Sequence, residues 1–190
     1  MMQGHTETNE ALMLAYASGD TAAFERLYDR HKAPLYRYFV RQLSSVELAQ
    51  DLYQECWGRM IKSAPDYLPS AKWTTWAYRI ARNLCVDHFR AVKPIQAYDE
   101  VEHGPDLKIQ TQPENVHEID RLSERLKLCM KGLPTVQLEV FMLSQETDMT
   151  LKMVSEVVNA SYESVKTRLR YAKHKLQDCL KHYAQSEDKS

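Results

Sequence analysis

Apolar residues recur every three or four positions through the first ninety residues of the chain, which is the spacing of one face of an α-helix. The clearest run begins after Asp20, a residue type that caps helices well, and a short preceding helix should end at Ser18-Gly19. Pro34 lies inside the run and predicts a kink or a break, because proline lacks the backbone N–H that the helix needs. The repeating positions are Phe24, Leu27, His31, Leu35, Phe39 and Leu43.

Two further helices complete an N-terminal unit. Ser44-Ser45-Val46-Glu47 has the form of a capping box, which satisfies two free N–H groups at a helix start. Pro65 and Pro69 mark a loop, and a fourth helix is predicted from about Trp73 to Arg90. Four helices joined by short loops predict one compact domain over residues 1–92. The inner positions are Leu48, Leu52, Cys56 and Met60 in the third helix and Trp76, Ile80, Leu84 and Cys85 in the fourth.

The pattern is interrupted after this unit. Residues 93–117 contain three prolines, one glycine and few apolar residues. Between Ala91 and Glu124 there are eight acidic and three basic residues. This composition predicts an extended acidic linker that runs into the start of the next helix.

Helical periodicity returns at residue 118 and defines a second domain, residues 118–190. Leu133-Pro134 opens one helix, because proline is favourable in the first turn. Thr150 is placed to cap a short helix, and Asn159-Ala160-Ser161 to form a tight turn before a longer helix. The expected inner positions are Ile119, Leu122, Leu126, Met130, Val136, Val140, Leu143, Leu151, Val154, Val158, Val165, Leu169, Ala172, Leu176 and Leu180.

A short helix, a tight turn and a longer basic helix form the helix-turn-helix, whose second helix enters the major groove of DNA. Between Ser161 and Tyr183 there are six basic and two acidic residues. At 100° per residue, Lys166, Thr167 and Arg170 lie opposite the apolar face of this helix. The simpler alternative is a solvated amphipathic helix with a basic face, and the spacing alone does not separate the two.

Composition supports an all-α fold. The 190 residues are 44% hydrophobic but include only 5 glycines and 7 prolines, too few for a turn-rich β architecture. The net charge of −1 gives no overall indication of nucleic-acid binding. A net charge can, however, conceal basic and acidic segments that lie apart along the chain. No apolar run approaches the roughly 20 residues that span a bilayer, and the polar N-terminus lacks the apolar core of a signal peptide.

The four cysteines, Cys56, Cys85, Cys129 and Cys179, lie far apart and form no CxxC motif. Metal sites need clustered ligands, so we expect no metal ion and no cofactor. Each cysteine lies in a helical apolar pattern, where a reduced thiol behaves as a small hydrophobic group. We therefore expect all four to be reduced core residues and not a redox site.

Three stretches resemble the extracytoplasmic-function group of sigma factors, and they occur in that family's order. Residues 49–57 (AQDLYQECW) resemble the polymerase-binding segment of sigma region 2. Residues 76–90 (WAYRIARNLCVDHFR) closely resemble the helix that reads and melts the promoter element nearest the start site. Residues 164–173 (SVKTRLRYAK) resemble the recognition helix of sigma region 4. The resemblance implies a four-helix region 2 domain and a helix-turn-helix region 4 domain, joined by the acidic linker.

The resemblance also implies partners and contact residues. The protein would bind the clamp and flap regions of RNA polymerase core and direct transcription initiation at particular promoters. Gln50 stands where many relatives carry an acid, which would weaken the grip on the clamp. Tyr53 and Trp57, expected to be exposed, would meet polymerase or a partner. The implied polymerase-binding residues are Asp51, Tyr53, Gln54 and Glu55, with Glu47 continuing the acidic row.

Two sets of residues would contact promoter DNA. Asn83 and Asp87 would lie at the pocket for an unpaired base of the proximal element, with Arg79, Arg82 and Arg90 on phosphates. Trp73 and Trp76 could act as melting wedges, but core packing is favoured for both. The linker would thread towards the polymerase cleft. The set implied for the distal element is Ser164, Lys166, Thr167, Arg168, Arg170, Tyr171 and Lys173.

A sigma factor of this group would be cytoplasmic, with no catalytic residues, no small-molecule substrate and no membrane insertion. An anti-sigma protein would restrain it, and a stress or envelope signal would release it. One alternative is a two-component or quorum-type regulator, but residues 1–90 lack the strand-like alternation of a receiver domain. Another is a helical metal or cofactor enzyme, for which no Glu-x-x-His pair lies on the predicted helices of either domain.

Overall fold

The structure, a computed structural model, describes residues 7–43, 45–92, 118–146 and 149–187. The regular secondary structure of these residues is helical and includes no strand, which confirms the all-α prediction. No helix among them has both the length and the apolar character that crossing a bilayer requires. The predicted linker, residues 93–117, lies outside the described residues. The helices are α1 (Asn9–Ala17), α2 (Thr21–Gln42), α3 (Val46–Lys62), a short 3-10 helix (Ala64–Asp66), α4 (Trp73–Val92), α5 (Glu118–Lys131), α6 (Thr135–Glu146), α7 (Leu151–Val158) and α8 (Tyr162–Glu187).

Side chains cap the N-terminal helices largely as predicted. The Asp20 carboxylate accepts a hydrogen bond from the Ala23 N–H at 3.1 Å and starts α2. The N-cap of α3 is Ser45 and not Ser44, the first residue of the predicted capping box. The Ser45 hydroxyl accepts a hydrogen bond from the Leu48 N–H at 3.2 Å. Ser44 lies outside the described residues. The same hydroxyl donates to Glu47 at 2.7 Å. The cap therefore lies one residue later than predicted, and Glu47 occupies the second helical position rather than the third, which a capping box requires.

The break predicted at Pro34 is absent, because α2 continues from Thr21 to Gln42 with Pro34 inside it. Proline removes one intrahelical hydrogen bond. Leu27 before it and Leu35 and Phe39 after it are all fully buried in the same core. This shared burial keeps the two halves of α2 in register.

The N-terminal core is built from aromatic rings. Trp73, at the start of α4, is fully buried, and its ring centroid lies 4.4 Å from that of His31. The backbone N–H of Trp73 donates to the Glu10 carboxylate at 2.7 Å, which ties α4 to α1. Core packing is thus confirmed for Trp73. Trp76 is half-buried and packs edge-on against Tyr67 at 5.0 Å.

The helix-turn-helix prediction is confirmed at α7 and α8. The Thr150 hydroxyl caps α7 by accepting from the Met153 N–H at 3.3 Å. Asn159 ends α7 in the left-handed conformation, with φ of 51°, and Ser161 caps α8 through the Ser164 N–H at 3.2 Å. Val165, Ala172 and Leu176 form the buried stripe of α8. Local capping chemistry therefore sets the turn and the direction in which α8 leaves it.

Helix α5 is less enclosed than its periodicity predicted. Met130 is buried and Leu126 half-buried, but Leu122 is 56% exposed. The main packing partner of α5 among the described helices is α8. Among the described residues α8 provides most of the packing on α5, and it leaves Leu122 exposed.

The cysteines divide into two kinds. Cys56 and Cys85 are free and buried, as expected. The expectation was wrong for Cys129 and Cys179, which form a disulfide between α5 and α8 with their Cα atoms 5.9 Å apart. They are separated by 50 residues in sequence. Only the packing of α5 on α8 brings them together, so their spacing along the chain could not indicate the bond.

Candidate polymerase and promoter interface

The outer face of α3 is acidic and open to solvent. Asp51, Gln54 and Glu55 are all exposed, and Glu47 continues the row at the start of the helix. Residues four apart share a helix face. Hydrogen bonding to Ser45 holds the pKa of Glu47 below its ordinary value. Glu55 pairs with Arg59 at 2.6 Å within the helix. The predicted polymerase-binding carboxylates thus form one accessible surface.

The two aromatic residues expected on this surface turn inward. Trp57 is only 6% exposed and packs against Tyr28, with ring centroids 4.9 Å apart. Tyr53 is half-buried, and its hydroxyl donates to the Tyr28 hydroxyl at 3.3 Å. The expectation of exposed aromatics was therefore wrong. The aromatic core of α2 and α4 offers these rings more buried apolar contact than the surface of α3 does.

The predicted proximal-element face of α4 divides into a free part and an occupied part. Asn83, Asp87 and Arg90 are exposed. Arg79 instead donates to the Glu156 carbonyl at 3.2 Å, and its guanidinium lies 3.7 Å from the Glu156 carboxylate in α7. Arg82 pairs with Glu139 of α6. Two of the five predicted residues thus contact the C-terminal domain.

Glu139 of α6 is a buried charged residue at this contact between the domains. Its side chain is 1% exposed, and Oε1 accepts a hydrogen bond from the Tyr38 hydroxyl at 3.1 Å and lies 3.2 Å from Arg82 Nε. Burial raises the pKa of Glu139, while the nearby Arg82, Tyr38 and Arg168 act in the opposite direction. A carboxyl group from α6 is thereby held between α2 and α4.

Glu139 was not among the site residues predicted from the sequence. A signal was present, because Glu139 is the one charged residue between Val136 and Leu143, the most apolar stretch of its domain. A charge inside an apolar stretch is rarely buried without a partner. Its partners, Tyr38 and Arg82, lie in the other domain and are remote in sequence.

The predicted distal-element face of α8 is open. Lys166, Thr167, Arg170, Tyr171 and Lys173 are exposed, and Lys166, Arg170 and Lys173 line one shallow groove beside Leu151 of α7. The Arg170 guanidinium lies over the Tyr171 ring, 5.2 Å from its centroid. This arrangement of cations suits phosphates and base edges in a DNA groove.

Two members of the predicted distal set lie at the margin of that face. Ser164 is half-buried in the first turn of α8. Arg168 is half-buried and near enough to Glu139 for its charge to lower the pKa of that carboxyl. Arg168 therefore faces the contact between the domains rather than the open groove.

A helix-turn-helix beside a second helical domain that carries one acidic and one basic face is typical of all-α proteins that bind DNA and a protein partner. Two family models match the chain, sigma-70 region 2 over residues 27–94 and sigma-70 region 4 over residues 129–178. The chain belongs to the sigma-70 family. As a sigma factor, it binds RNA polymerase core and directs initiation at particular promoters.

Curated relatives that match most of the chain are also sigma factors. The extracytoplasmic-function sigma factor SigW of Bacillus subtilis (strain 168) is 29% identical over 171 residues, which cover 86% of this chain and 91% of SigW. SigK of Mycobacterium sp. (strain KMS), of the same group, is 29% identical over 181 residues, covering 90% of each chain. These matches extend over both domains.

Two solved structures share the fold. CnrH, in a complex with the cytosolic domain of CnrY, superposes with a TM-score of 0.66 at 21% identity, covering 92% of this chain and 97% of CnrH. RpoE of Bartonella quintana, in a complex with the anti-sigma factor NepR, gives a TM-score of 0.67 at 16% identity, covering 83% and 96%. At these identities the likeness concerns the fold alone.

Proposed function

We propose that three helix faces divide the work of this sigma factor. The acidic face of α3, comprising Asp51, Gln54 and Glu55, contacts a basic surface of the polymerase clamp, with Tyr53 at its edge. The basic face of α4 contacts the proximal promoter element, and that of α8 contacts the distal one. The observation that carries the proposal is that the α3 carboxylates and the α8 cations are exposed on helices inside the two matched regions.

Within the α4 face, Asn83 and Asp87 would adjoin the captured base, and Arg79, Arg82 and Arg90 would contact phosphates. The contacts with Glu139 and Glu156 occupy two of these arginines in the structure. We therefore propose that the two domains separate when the protein engages polymerase and promoter. Polymerase contacts on both domains would supply the free energy for this separation.

The cell would use such a protein in the cytoplasm, where polymerase and chromosome lie, and it would act by binding rather than by catalysis. An anti-sigma protein is the proposed restraining partner, and release would follow a stress or envelope signal. The complexes of CnrH with CnrY and of RpoE with NepR support such a partner for this fold.

The experiment reverses the α3 charges. The double change Asp51→Lys with Glu55→Lys turns attraction to a basic clamp surface into repulsion. A single neutral change should be tolerated, because each exposed ion pair contributes only about 0–1 kcal/mol to binding. We expect the double variant to fold normally by circular dichroism and to lose co-purification with core polymerase. The measurement is competition with the unmodified chain for core.

A matched control is available on α2, where Glu25 and Asp29 are also exposed and four residues apart. Glu25→Lys with Asp29→Lys changes the net charge equally on a different face, and we expect it to compete normally. If the α3 variant competes as well as this control does, the contact with polymerase lies elsewhere.

A further inference from the structure

The disulfide between Cys129 and Cys179 is the feature that the sigma-factor function leaves unexplained. It joins α5 to the second half of α8. Cys179 follows Val165, Ala172 and Leu176 on the inner side of α8, opposite the groove that Lys166 and Arg170 line. The bond therefore links α5 to the inner side of α8 and leaves the proposed DNA-reading face of α8 free.

The location proposed for the protein gives this bond its significance. Disulfides are rare where glutathione and thioredoxin keep thiols reduced, and those that occur there are usually transient and act in catalysis or redox sensing. A sigma factor works beside the chromosome, in that reducing environment. A permanently stabilising role is therefore the weaker explanation of this pair.

The other two cysteines provide an internal contrast. Cys56 and Cys85 are buried in the region 2 core, and burial raises the pKa of both thiols. Since the thiolate is the reactive form, these two thiols are protected. Cys179 is only half-buried, so a small dithiol can reach the disulfide from its side of the bond. The chain thus combines one accessible pair with two inert thiols.

We propose that Cys129 and Cys179 are a redox-active pair whose oxidation state controls the packing of α5 on α8, and through it the use of the distal promoter element. Helix α5 packs chiefly on α8, and its Leu122 and Leu128 are 56% and 45% exposed. Within the part of the chain that the structure describes, few other contacts hold α5 in place when the crosslink opens. The effect on transcription rests on the function proposed above, whereas the effect on packing does not.

The chemistry balances with a peroxide as oxidant and a dithiol as reductant. One thiolate attacks the peroxide, the O–O bond breaks, and a sulfenic acid forms. The second thiolate attacks that sulfur and expels hydroxide, so two thiols and hydrogen peroxide give one disulfide and two waters. In reverse, a dithiol attacks Cys179 Sγ, Cys129 leaves as a thiolate, and the second thiol of the reductant completes the exchange.

The test compares the full chain in oxidised and reduced form. Intact mass after alkylation of the unfolded chain should show two cysteines that escape the reagent without reductant and none with it, and peptide mapping should identify the two as Cys129 and Cys179. Because the disulfide closes a loop of about 50 residues, reduction should lower the melting temperature of the region 4 domain by on the order of 10 °C. Hydrogen exchange in α5 should rise at the same time.

Two double variants make the test specific. Cys129→Ala with Cys179→Ala should behave as the reduced chain under all conditions, and Cys56→Ala with Cys85→Ala should respond to redox as the unmodified chain does. With core polymerase, reduction should lower transcription several-fold from a promoter that needs its distal element, and not from one that does not.

Four alkylatable thiols in the peroxide-treated chain, or a disulfide whose reduction changes neither melting, exchange nor transcription, would overturn the proposal. Redox-dependent melting with no transcription in either state would leave the redox pair established and contradict the proposed function instead.

Discussion

Helices α4 and α8 both carry basic faces proposed to contact promoter DNA, yet the structure presents them differently. On α8, Lys166, Arg170 and Lys173 line an open groove. On α4, Arg82 is 17% exposed and paired with the buried Glu139, and Arg79 contacts Glu156. One face is available in the free chain, and the other is partly occupied by the neighbouring domain.

This difference indicates an order of events. The α8 face can meet DNA without rearrangement, whereas the full α4 face requires separation of the domains. We expect the isolated protein to bind promoter DNA weakly, because each small domain offers few phosphate contacts and the acidic linker opposes them. Polymerase would then make both faces available together.

The largest effect is expected from Glu139→Lys. It places a third positive charge beside Arg82 and Arg168 in a buried position, and breaking a buried pair costs about 3–5 kcal/mol. The domains should separate, which small-angle scattering reports as a larger radius of gyration and limited proteolysis as faster cleavage between them. A variant as compact as the unmodified chain would show that Glu139 does not hold the domains together.

Glu139→Gln is the matched control. The amide keeps an acceptor for the Tyr38 hydroxyl and replaces a carboxyl group whose pKa burial already raises. We therefore expect it to remain compact.

The raised pKa of Glu139 also predicts how the compact form depends on pH. A carboxyl that binds its proton more tightly in the compact form favours that form as pH falls through the raised pKa, and loses this contribution at higher pH.

An intermediate effect is expected on α8. Lys166→Glu or Arg170→Glu should each weaken use of the distal element by about 1–3 kcal/mol, through the lost base or phosphate contact and new repulsion. Polymerase binding and the separation of the domains should not change. The measurement is transcription from paired promoters with and without that element, and undiminished activity on the first would refute this reading face.

The smallest effect is expected from Glu156→Gln. The Arg79–Glu156 side chains are 47% and 38% exposed, and exposed pairs contribute about 0–1 kcal/mol. Scattering and proteolysis should barely change. A separation as large as that of Glu139→Lys would show that the Arg79–Glu156 pair, and not the buried Glu139 carboxyl, holds the domains together.

The sequence predicted most accurately what local chemistry decides. The caps at Asp20 and Thr150, the turn at Asn159 and the apolar stripe of α8 depend on neighbours within a few residues, and all were found. The α3 carboxylates are exposed as their period required. Helix spacing and capping contain this information directly.

Apart from the cap of α3, the failures involve partners distant in sequence. Burial of Leu27, Leu35 and Phe39 keeps α2 continuous through Pro34, and the aromatic core draws Trp57 inward. Cys129 finds Cys179 only after α5 and α8 have packed. The contact of Glu139 with Arg82 joins two domains that the sequence analysis treated as independent. Periodicity identifies which face of a helix is apolar, but it does not identify the element that covers it.

The most direct test of the central claim is to add the purified chain to core polymerase and map the transcription start sites formed on genomic DNA. We predict a discrete set of new start sites that share a proximal and a distal element. That set should be lost with the Asp51→Lys, Glu55→Lys variant and retained with the Glu25→Lys, Asp29→Lys control. A map identical to that of core polymerase alone would contradict the account.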